Sequence, residues 1–364
     1  MKYKKTTYIS ILLFFIGIIF LYYGLSISFA LDYTESNLNE MNQREELEEE
    51  QSIDTIVEEK KVNIKLSFIG DSLIGSFKGE NYIGNFRDLL EKNEYSFPYK
   101  NVSSIFMNDD FTIANGENVF TDKELIEMEK NHSPAYWYYA PTRFANIYKE
   151  SSIEVVSIMN NHTYDYGADG LNDTINALKN SNVIVGSEDA IILEKDEVKI
   201  AVICINLFSS FQYEECVSNI NKIKNDVNYV IVYFHGGTEY LHFPTDSIVK
   251  YSRGFIDNGA DLVIGAHPHV LEPIEVYKNK TIVYSLGSFL FGGTKHLENR
   301  TIIYQKELEF NLDENNLTES ENIIPCYLYT ALDGYESWIP SVIENENEKN
   351  KVLDFMHGLE DSPL

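Results

Sequence analysis

The sequence predicts an α/β domain that follows one apolar helix long enough to span a membrane. The helix is indicated by an uncharged run from Thr6 to Leu31, because about 20 apolar residues cross a bilayer as a helix. The domain is indicated by the rest of the chain, where short apolar runs alternate with helical patterns of about a dozen residues. With 44% hydrophobic residues in 364, the chain can bury one large core or two modest ones.

The N-terminal segment also predicts an orientation. Three lysines within the first five residues precede the apolar run, and the residues after it are acidic. The positive-inside rule therefore places residues 1–6 in the cytoplasm, residues 7–31 in the membrane and the remaining chain outside the cell. A cleaved signal peptide is the alternative, because Ser28–Ala30 resembles a small-residue cleavage site; the length of the run favours a retained anchor.

Residues 32–62 are predicted to be an acidic linker. Eleven Asp and Glu residues between positions 32 and 60 are accompanied by only two basic residues, Arg44 and Lys60. A segment of this kind, poor in aromatic residues, is expected to be flexible or partly helical and to hold the domain away from the membrane.

Charge and cysteine content narrow the classes of function. A formal net charge of -28 at pH 7 argues against nucleic-acid binding, because phosphates would be repelled. Three cysteines give no disulfide framework, and none has the spacing of a metal site. Cys204 lies in an apolar run and is expected to be a small buried hydrophobe, while a bridge between Cys216 and Cys326 is an open alternative.

Within the domain, expected over residues 63–310, apolar runs and helical periodicities give the elements in order. The predicted strands are 62–71, 111–117, 154–160, 183–185, 198–206, 229–234, 261–265, 281–286 and 301–310. The predicted helices are 82–92, 171–179 and 247–258. From about Asn311 the sequence becomes polar, so residues 311–364 are expected to be a C-terminal extension with a loose tail at Glu344–Lys351.

Five of the predicted strands end in side chains that can bind a metal ion. They are Asp71, Glu117, Asn161 with His162, His235, and His267 with His269. Ligands in open α/β sheets collect beyond the carboxyl ends of the strands. A set of imidazoles, carboxylates and an amide suits a divalent ion such as Mn, Fe or Zn, and it is large enough for two ions that share a carboxylate. The chemistry expected there is hydrolysis of a phosphoryl or acyl group, in which a remaining histidine protonates the leaving group.

Each of these ligands also has an explanation from local structure. Asp71 can cap the following helix, Asn115–Glu117 can be a plain turn, and His235 can end a strand before a flexible Gly-Gly turn. His267–His269 is more specific, because Pro268 fixes the backbone and the spacing places two imidazoles on one extended side. The conjunction of all five strand ends favours the metal site over these local explanations.

Six blocks of sequence follow one another over about residues 63–295. They are Phe68–Asp71, Asn115–Glu117, Asn160–Gly167 with Gly170–Thr174, His235–Tyr240, Gly259–Glu275 and Tyr284–Phe289. In this order they resemble the CapA/PgsA-type capsule proteins of poly-γ-glutamate synthesis, which lie within the calcineurin-like metallophosphoesterase superfamily. The resemblance implies a four-layer α/β/β/α sandwich, in which two sheets lie between helices. It also implies a role in assisting the polyglutamate synthase complex and moving the anionic polymer outward.

The resemblance implies roles for individual residues as well. Asp71 and His269 would bind one ion, Asn161, His235 and His267 would bind a second, and Glu117 would lie between the two. His162 would be the proton donor. Asp165 would orient His162 or cap the next helix, and the cap is favoured. Asn160, Glu239, Tyr240 and Ser288 are expected to support the ligands or contact substrate.

The chain departs from the superfamily pattern at two positions and from the pattern of the capsule family at two more. Leu73 stands where phosphoesterases have the histidine of an Asp-x-His motif, so one ligand is missing, and Glu117 stands where they have Asp. The capsule family shares these two changes. Gly236, where the family often has Trp, would remove a wall of the site, and Ser288, where it often has Asn, would weaken a hydrogen bond to a ligand.

An aromatic cluster lies outside these blocks. Tyr136–Tyr139 with Arg143 can form a substrate groove, because Tyr and Arg recognise chains that carry carboxylates. The favoured alternative is a half-buried loop packed on the sheet. His132, His296 and His357 have no patterned context and are expected at the surface.

The first functional hypothesis is a single-pass membrane protein whose extracellular domain acts in poly-γ-glutamate capsule synthesis or export. The alternatives are a secreted metal-dependent phosphoesterase with an unrelated substrate, and a non-catalytic scaffold whose motifs only hold the fold together. A protein with a charge of -28 repels a polyanion, so contact with the polymer would need a local cationic patch or bound metal ions.

Overall fold

The computed structural model describes residues 3–52, 59–77, 86–131, 133–291, 299–331 and 337–364. It divides into two compact units, Met1–Glu59 and Lys60–Leu364. Three predictions lie outside the described residues: the first turn of the helix predicted at 82–92, and the surface positions of His132 and His296. His357 is described and is exposed, as predicted.

The first unit contains one helix, α1, over Tyr3–Ser52. Its segment Ile11–Asn39 has 29 residues with a mean hydropathy of 2.3, and it is long and apolar enough to cross a membrane. A signal sequence would have the same properties. The residues from position 32 to Ser52, predicted to be a flexible or partly helical linker, continue the same helix.

The second unit contains the other helices and all the strands. Helices α2–α8 span Phe86–Lys92, Ser103–Phe106, Asn146–Glu150, Gly167–Asn180, Ser210–Ile223, Asp246–Asn258 and Glu346–Met356. Strands β1–β9 span Lys61–Leu73, Ser76–Phe77, Phe111–Gly116, Val119–Phe120, Tyr138–Ala140, Val155–Ser157, Ile184–Gly186, Ile191–Lys195 and Val198–Asn206. Strands β10–β17 span Tyr229–His235, Leu262–Ala266, Leu271–Tyr277, Lys280–Leu286, Ser288–Phe291, Arg300–Asn311, Asn316–Tyr327 and Ser341–Val342.

The first sheet is built around β1 and has the order β17-β16-β15-β1-β3-β6-β7, with β14 pairing to the end of β1. The strands β1, β3, β6 and β7 are parallel, so their carboxyl ends lie at one edge. At this edge Asp71 of β1 lies beside Asn115 of β3. The parallel half of the sheet therefore delivers the predicted ligands of β1 and β3 to one place.

The second sheet has the order β12-β13-β11-β10-β9-β8. Its four central strands are parallel, and in them His235 of β10 lies beside Ala266 of β11, one residue before His267. The outer strand β12 pairs antiparallel to β13 through a tight turn at Lys278-Asn279, where both residues have a positive φ. The second sheet thus carries its histidines to one edge as well.

The two sheets face each other, and helices cover their outer sides. Strand β9 shows why, because its alternate residues belong to two different cores. Ile200 and Val202 pack with residues of the first sheet such as Leu66, whereas Ala201 and Ile203 pack under α6 and α7. A third core lies between the outer side of the first sheet and the helices α2–α5. The predicted four-layer sandwich is confirmed.

The prediction of a loose C-terminal tail is wrong. Strand β16 pairs with β15 along its whole length, and α8 covers Glu346–Met356. Helix α8 is capped by Asn345, whose side chain accepts from the backbone N–H groups of two following residues, and it buries Val352 and Phe355 in the core between the sheets. The polar composition was misleading because β16 lies near the edge of its sheet and exposes most of its polar residues.

The three cysteines are free and buried. Cys204 packs in the core between the sheets, as predicted for a small hydrophobe. Cys216 lies in the core under α6 and α7, whereas Cys326 lies in the core on the outer side of the first sheet. The two side chains are therefore on opposite outer faces, and the alternative of a Cys216–Cys326 bridge is wrong.

Candidate metal centre

The carboxyl edges of the two sheets meet at a cluster of carboxylates and imidazoles. Three groups of side chains, drawn from the described residues, each bring their ligand atoms within 4.8 Å of one another. The groups are Asp71 with Glu117 and His269, Glu117 with His235 and His267, and Glu239 with His267 and His269. Four of the five strand ends named from the sequence therefore meet in these groups, and the fifth joins them because Nε2 of His162 lies 3.9 Å from Oε1 of Glu117. The groups overlap, because Glu117, His267 and His269 each belong to two of them.

Glu117 is the carboxylate that the first two groups share. It follows β3 directly, so Asn115–Glu117 is a strand end and not a plain turn. Its side chain is fully buried, and neither carboxylate oxygen has a hydrogen-bond partner among the described residues. Nitrogen atoms nevertheless surround Oε1, since Nε2 of His235 lies at 3.8 Å and Nε2 of His269 at 3.9 Å.

This arrangement fits a bound cation. Burial, followed by the charge of Asp71, raises the pKa of Glu117, so the carboxylate is costly to keep ionised without a counter-ion. A divalent cation would satisfy both unpaired oxygens and would accept the neighbouring nitrogen lone pairs. The donor set of carboxylate, imidazole and amide is the one that Mn, Fe and Zn take.

Asp71 is held in place by partners from both sheets. Asn115 donates to its Oδ1 at 2.8 Å, and the backbone N–H of His267 donates to its Oδ2 at 3.2 Å. Burial alone would raise the pKa of Asp71, but the hydrogen bonds and charges of His235 and His269 outweigh it and hold the pKa well below its usual range. The side chain points into the cluster, so the helix-capping alternative for Asp71 is wrong.

The imidazoles of His235 and His267 approach each other closely. Nε2 of His235 lies 3.0 Å from Nδ1 of His267 and 2.9 Å from Oδ1 of Asn161. Burial, then the nearby imidazoles, lower the pKa of His267 to about 2. The ring of His267 is therefore neutral and offers a lone pair to a cation. His235 ends β10 inside this arrangement, so the alternative of a plain strand end before a turn does not describe it.

His269 has the opposite protonation, so a cation that binds its ring must first displace a proton. Burial disfavours its charged form, but Glu117 and Asp71 outweigh burial and raise the pKa of His269 to about 9. Its Nδ1 lies 3.1 Å from Oδ2 of Asp71 and 3.1 Å from Oγ of Ser288. Ser288 therefore contacts this histidine directly, as a supporting residue would.

The backbone of the His267–His269 segment differs from the prediction. Both histidines have a positive φ, 103° for His267 and 61° for His269, whereas an extended strand was expected. Non-glycine residues rarely adopt this region, and such strain is concentrated at functional sites. Their imidazoles converge because the chain turns at each histidine, not because they share one side of a strand.

Asn160 connects the loop after β6 to the rest of the cluster. Its side-chain amide donates to Oδ1 of Asn115 and to the carbonyl oxygen of Gly116, both at 3.0 Å. Its own Oδ1 accepts from the backbone N–H of His162 at 2.9 Å. Since Asn115 in turn donates to Asp71, Asn160 fixes the spacing between the first ligand and His162.

His162 is held by two charged partners. Its Nδ1 lies 2.7 Å from Oδ2 of Asp165 and 3.4 Å from Nζ of Lys130, and Lys130 forms an ion pair with Asp165. Burial lowers the pKa of His162, although Asp165 opposes the shift. Nε2 of His162 faces Glu117 at 3.9 Å, so the ring presents its second nitrogen to the cluster.

The favoured role of Asp165 as a helix cap is wrong. Helix α5 starts at Gly167 without a side-chain cap, and the carboxylate of Asp165 accepts from the backbone N–H of Tyr138 at 2.7 Å. The alternative role, orienting His162, describes the observed contacts. Lys130 was not predicted at all, because it lies 32 residues before His162 in a segment without periodicity.

Replacing Asp165 by asparagine is expected to lower the free energy of unfolding by about 3–5 kcal/mol, the cost of removing one partner of a buried ion pair. Asp165 is buried and Lys130 nearly so, which leaves the ammonium group poorly compensated. Urea denaturation of the detergent-solubilised chain measures the change. Asp169→Asn is the control, because Asp169 is exposed in the first turn of α5 and should cost less than about 1 kcal/mol. Equal stability of the two variants would contradict the expectation.

Aromatic rings surround the cluster. Tyr138 lies 4.6 Å from the ring of His162 and is stacked against Tyr136, while Phe208 contacts His267 and Phe291 contacts His269, both at 4.9 Å. Tyr138 is only partly exposed, as the favoured packed loop predicts, but it lies in strand β5 of the small sheet β2-β5-β4 and not in a loop. Phe208 and Phe291 were not predicted, since lone aromatic residues beside apolar runs carry no signal.

Two further predicted residues have different outcomes. Tyr240 lies 6.0 Å from the ring of His269, at the cluster. Arg143 faces elsewhere, because its half-exposed guanidinium pairs with Glu91 of α2 and lies over the ring of Phe144. The structure therefore does not bring Arg143 to the site, and the expectation of a groove that includes it is wrong.

Comparisons with known proteins find a family model and named relatives that match this chain. A family model described as "Bacterial capsule synthesis protein PGA_cap" matches residues 65–293. The chain is 26% identical over 321 residues to the "PGA biosynthesis protein CapA" of Bacillus subtilis, a match that covers 79% of this chain and 78% of that protein. It is 25% identical over 272 residues to the "Capsule biosynthesis protein CapA" of Bacillus anthracis, covering 66% of this chain and 63% of that one.

Likeness to solved structures is weaker. A crystal structure of TT1561 from Thermus thermophilus has a TM-score of 0.40 and 12% identity, and the match covers 71% of this chain and 99% of that one. A likeness at that level adds nothing to the architecture described above.

Proposed function

The chain belongs to the bacterial capsule synthesis protein family PGA_cap, and from this premise we propose that it is a membrane-anchored protein that acts outside the cell in the synthesis or export of a poly-γ-glutamate capsule. Two relatives that match most of its length are named for capsule or PGA biosynthesis. The shared region covers the strand ends that form the cluster, from Asp71 to His269. The family match therefore falls on the part of the chain that carries the site, and not on the N-terminal helix.

The observation that carries the proposal is the carboxylate of Glu117, which is buried among the cluster histidines without a hydrogen-bond partner in the described part of the chain. In the proposal, Asp71, Glu117 and His269 hold one divalent ion, and Glu117, Asn161, His235 and His267 hold a second. When bound, such ions supply Lewis acidity and positive charge. The chain itself contributes His162, whose Nε2 faces the cluster while Asp165 and Lys130 fix its other side.

Bound ions also resolve an electrostatic problem. A chain with a net charge of -28 repels a polymer of carboxylates at long range. Two divalent ions at the end of the sheets would provide local positive charge where a polymer carboxylate could be held. The aromatic rings of Tyr138 and Phe291 beside the cluster would exclude water from that contact.

The proposed membrane location depends on the N-terminal unit. Helix α1 contains the span Ile11–Asn39, and the three lysines before it favour a cytoplasmic N-terminus. The unit that starts at Lys60 would then lie outside the cell. In this location it can meet polymer that leaves the synthase complex.

Disrupting the gene in its own bacterium tests the proposal. We expect surface polyglutamate, measured as glutamate released by acid hydrolysis of washed polymer, to fall at least about tenfold and to return with the wild-type gene. Replacing residues 1–59 by a cleaved signal peptide should restore little polymer, because the domain would leave the membrane. Trypsin added to intact cells should digest the wild-type domain. Unchanged polymer after disruption, or a domain protected from trypsin in intact cells, would refute the corresponding part.

A second candidate function is a metal-dependent phosphoesterase, favoured by the orientation of His162 toward the cluster. The ring is positioned by Asp165 and is not needed to bind either proposed ion, which is the placement of a general acid. Complementation with His162→Ala separates the candidates. Full restoration of polymer would indicate a scaffold or binding role, whereas failure with normal protein levels would indicate chemistry at the site.

A further inference from the structure

The two proposed ion sites are not equally provided with protein ligands. The group around His235 has four donors, since the amide oxygen of Asn161 joins Glu117, His235 and His267. The group around Asp71 has three, namely Asp71, Glu117 and His269. Structural sites for such ions usually have at least four donors, so the group around Asp71 has room for another ligand.

Glu239 is the carboxylate that lies beside this incomplete group. One of its oxygens and one ring nitrogen from each of His267 and His269 lie within 4.8 Å of one another. The two histidines belong to different groups, so Glu239 lies where the two ion sites adjoin. Glu117 is fully buried, whereas Glu239 is exposed, so Glu239 approaches the cluster from the solvent side.

The loop after β10 is built to bring Glu239 back to the cluster. Gly237 has a φ of 117°, which favours glycine, and a Cβ at Gly236 would meet the carbonyl oxygen of Leu207 at 2.3 Å. Three residues after Gly237, the backbone N–H of Tyr240 donates to the carbonyl oxygen of Pro268 at 2.8 Å. This hydrogen bond ties the loop to the segment that carries both histidines. Gly236 is thus required for the close approach of the chain to Leu207.

The charges around Glu239 also call for a cation. Asp71, Glu117 and Glu239 each bring a carboxylate oxygen to within 4.8 Å of a ring nitrogen of His269. Asp71, Glu117 and Glu239 therefore place three carboxylates around His269. Binding of a divalent ion to His269 displaces its proton, and the two positive charges of the ion then offset the negative charge of the carboxylates.

We propose that Glu239 is the fourth protein ligand of the ion held by Asp71, Glu117 and His269. This inference rests on the metal site of the proposed function, and it assigns a ligand role to a residue that the sequence predicted to support the ligands or contact substrate. Glu239 is the solvent-exposed member of the set, so this ion exchanges faster than the one held by His235 and His267. It is also the ion at which an incoming carboxylate or phosphate could replace a protein ligand.

The test is a titration of the full-length chain in detergent, stripped of metal with EDTA, with Mn²⁺ alone. Free Mn²⁺ is counted by electron paramagnetic resonance. For the wild type we expect two ions per chain. For Glu239→Gln we expect one ion with unchanged affinity and a second weakened by about 10- to 100-fold. The metal-free melting temperature of Glu239→Gln should equal that of the wild type, because the side chain is exposed.

A matched control is Glu360→Gln, which makes the same change of charge at an exposed glutamate after α8 and should keep both ions. If the wild-type chain binds no Mn²⁺, the metal site of the proposed function fails and the role of Glu239 fails with it. If the wild type binds Mn²⁺ and Glu239→Gln binds it with the same stoichiometry and affinity, only the inference about Glu239 is overturned.

Discussion

Replacing Glu117 by glutamine is expected to remove most of the stabilisation that Mn²⁺ gives the protein while leaving the metal-free protein as stable as the wild type. Glu117 is shared by both proposed ion sites, so the change weakens both. At a concentration 100-fold above the dissociation constant each ion contributes about 2.7 kcal/mol, or about 5 kcal/mol for two. Thermal denaturation with EDTA and then with Mn²⁺ measures both quantities for each variant.

The metal-free protein should not lose stability, because both oxygens of Glu117 are buried without a hydrogen-bond partner among the described residues. Burial raises the pKa of Glu117, so its ionised form costs free energy even with the imidazole of His269 at 3.9 Å, and replacement by a neutral amide of the same shape is expected to change stability little. Glu360→Gln again controls for the change of charge and should behave as the wild type in both conditions. A Glu117→Gln variant that is still stabilised by Mn²⁺, or that is more than about 2 kcal/mol less stable in EDTA, would show that Glu117 has a structural role instead.

Replacing Gly265 by alanine is expected to lower the free energy of unfolding by about 3–5 kcal/mol. Gly265 lies in β11, a central strand of the second sheet. A Cβ there would meet the carbonyl oxygen of Tyr284 at 2.0 Å and the ring of Phe234 at 2.5 Å. The first of these atoms belongs to the backbone of β13, so the strands β11 and β13 would have to separate. His267 follows two residues later, and Mn²⁺ binding should weaken as well. Urea denaturation and the Mn²⁺ titration measure the two effects.

Gly358→Ala is the matched control. A Cβ at Gly358 has no atom within 4 Å, so only its positive φ of 69° opposes the substitution. That strain costs about 1 kcal/mol. If Gly265→Ala were no more harmful than Gly358→Ala, the close packing of β11 against β13 would not be a determinant of stability.

Most strands could be predicted because the residues that they bury in a core leave a simple pattern of apolar residues in the sequence. Strand β9 was predicted with its full bounds, since residues buried on both faces give a continuous apolar run. Strand β16 and helix α8 could not be predicted, because each buries only a few residues among many polar ones. A polar segment next to a large sheet can still be ordered by backbone hydrogen bonds to a strand of that sheet. The sequence of the segment alone does not show that such a strand lies beside it.

The contacts of the predicted site residues required the tertiary structure. Arg143 was expected near the aromatic cluster because it is close in sequence, but its guanidinium pairs with Glu91. Asp165 was expected to cap a helix because it precedes one, but its carboxylate faces His162 and Lys130. Proximity along the chain does not determine the direction of a side chain, which depends on the elements packed against it.

The sequence by itself determined the α/β class, the N-terminal apolar helix and the set of residues at the strand ends from Asp71 to His269. It did so because burial produces apolar periodicity, and because polar residues that interrupt a buried run need a reason to be there. Only the tertiary structure decided which of these residues meet. The convergence of two sheet edges buries Glu117 among the histidines, without a hydrogen-bond partner in the residues that the structure describes. It also brings Lys130 and Glu239 to the site. Those contacts join residues that lie far apart in the chain, and they arise from how the strands pack rather than from any local pattern.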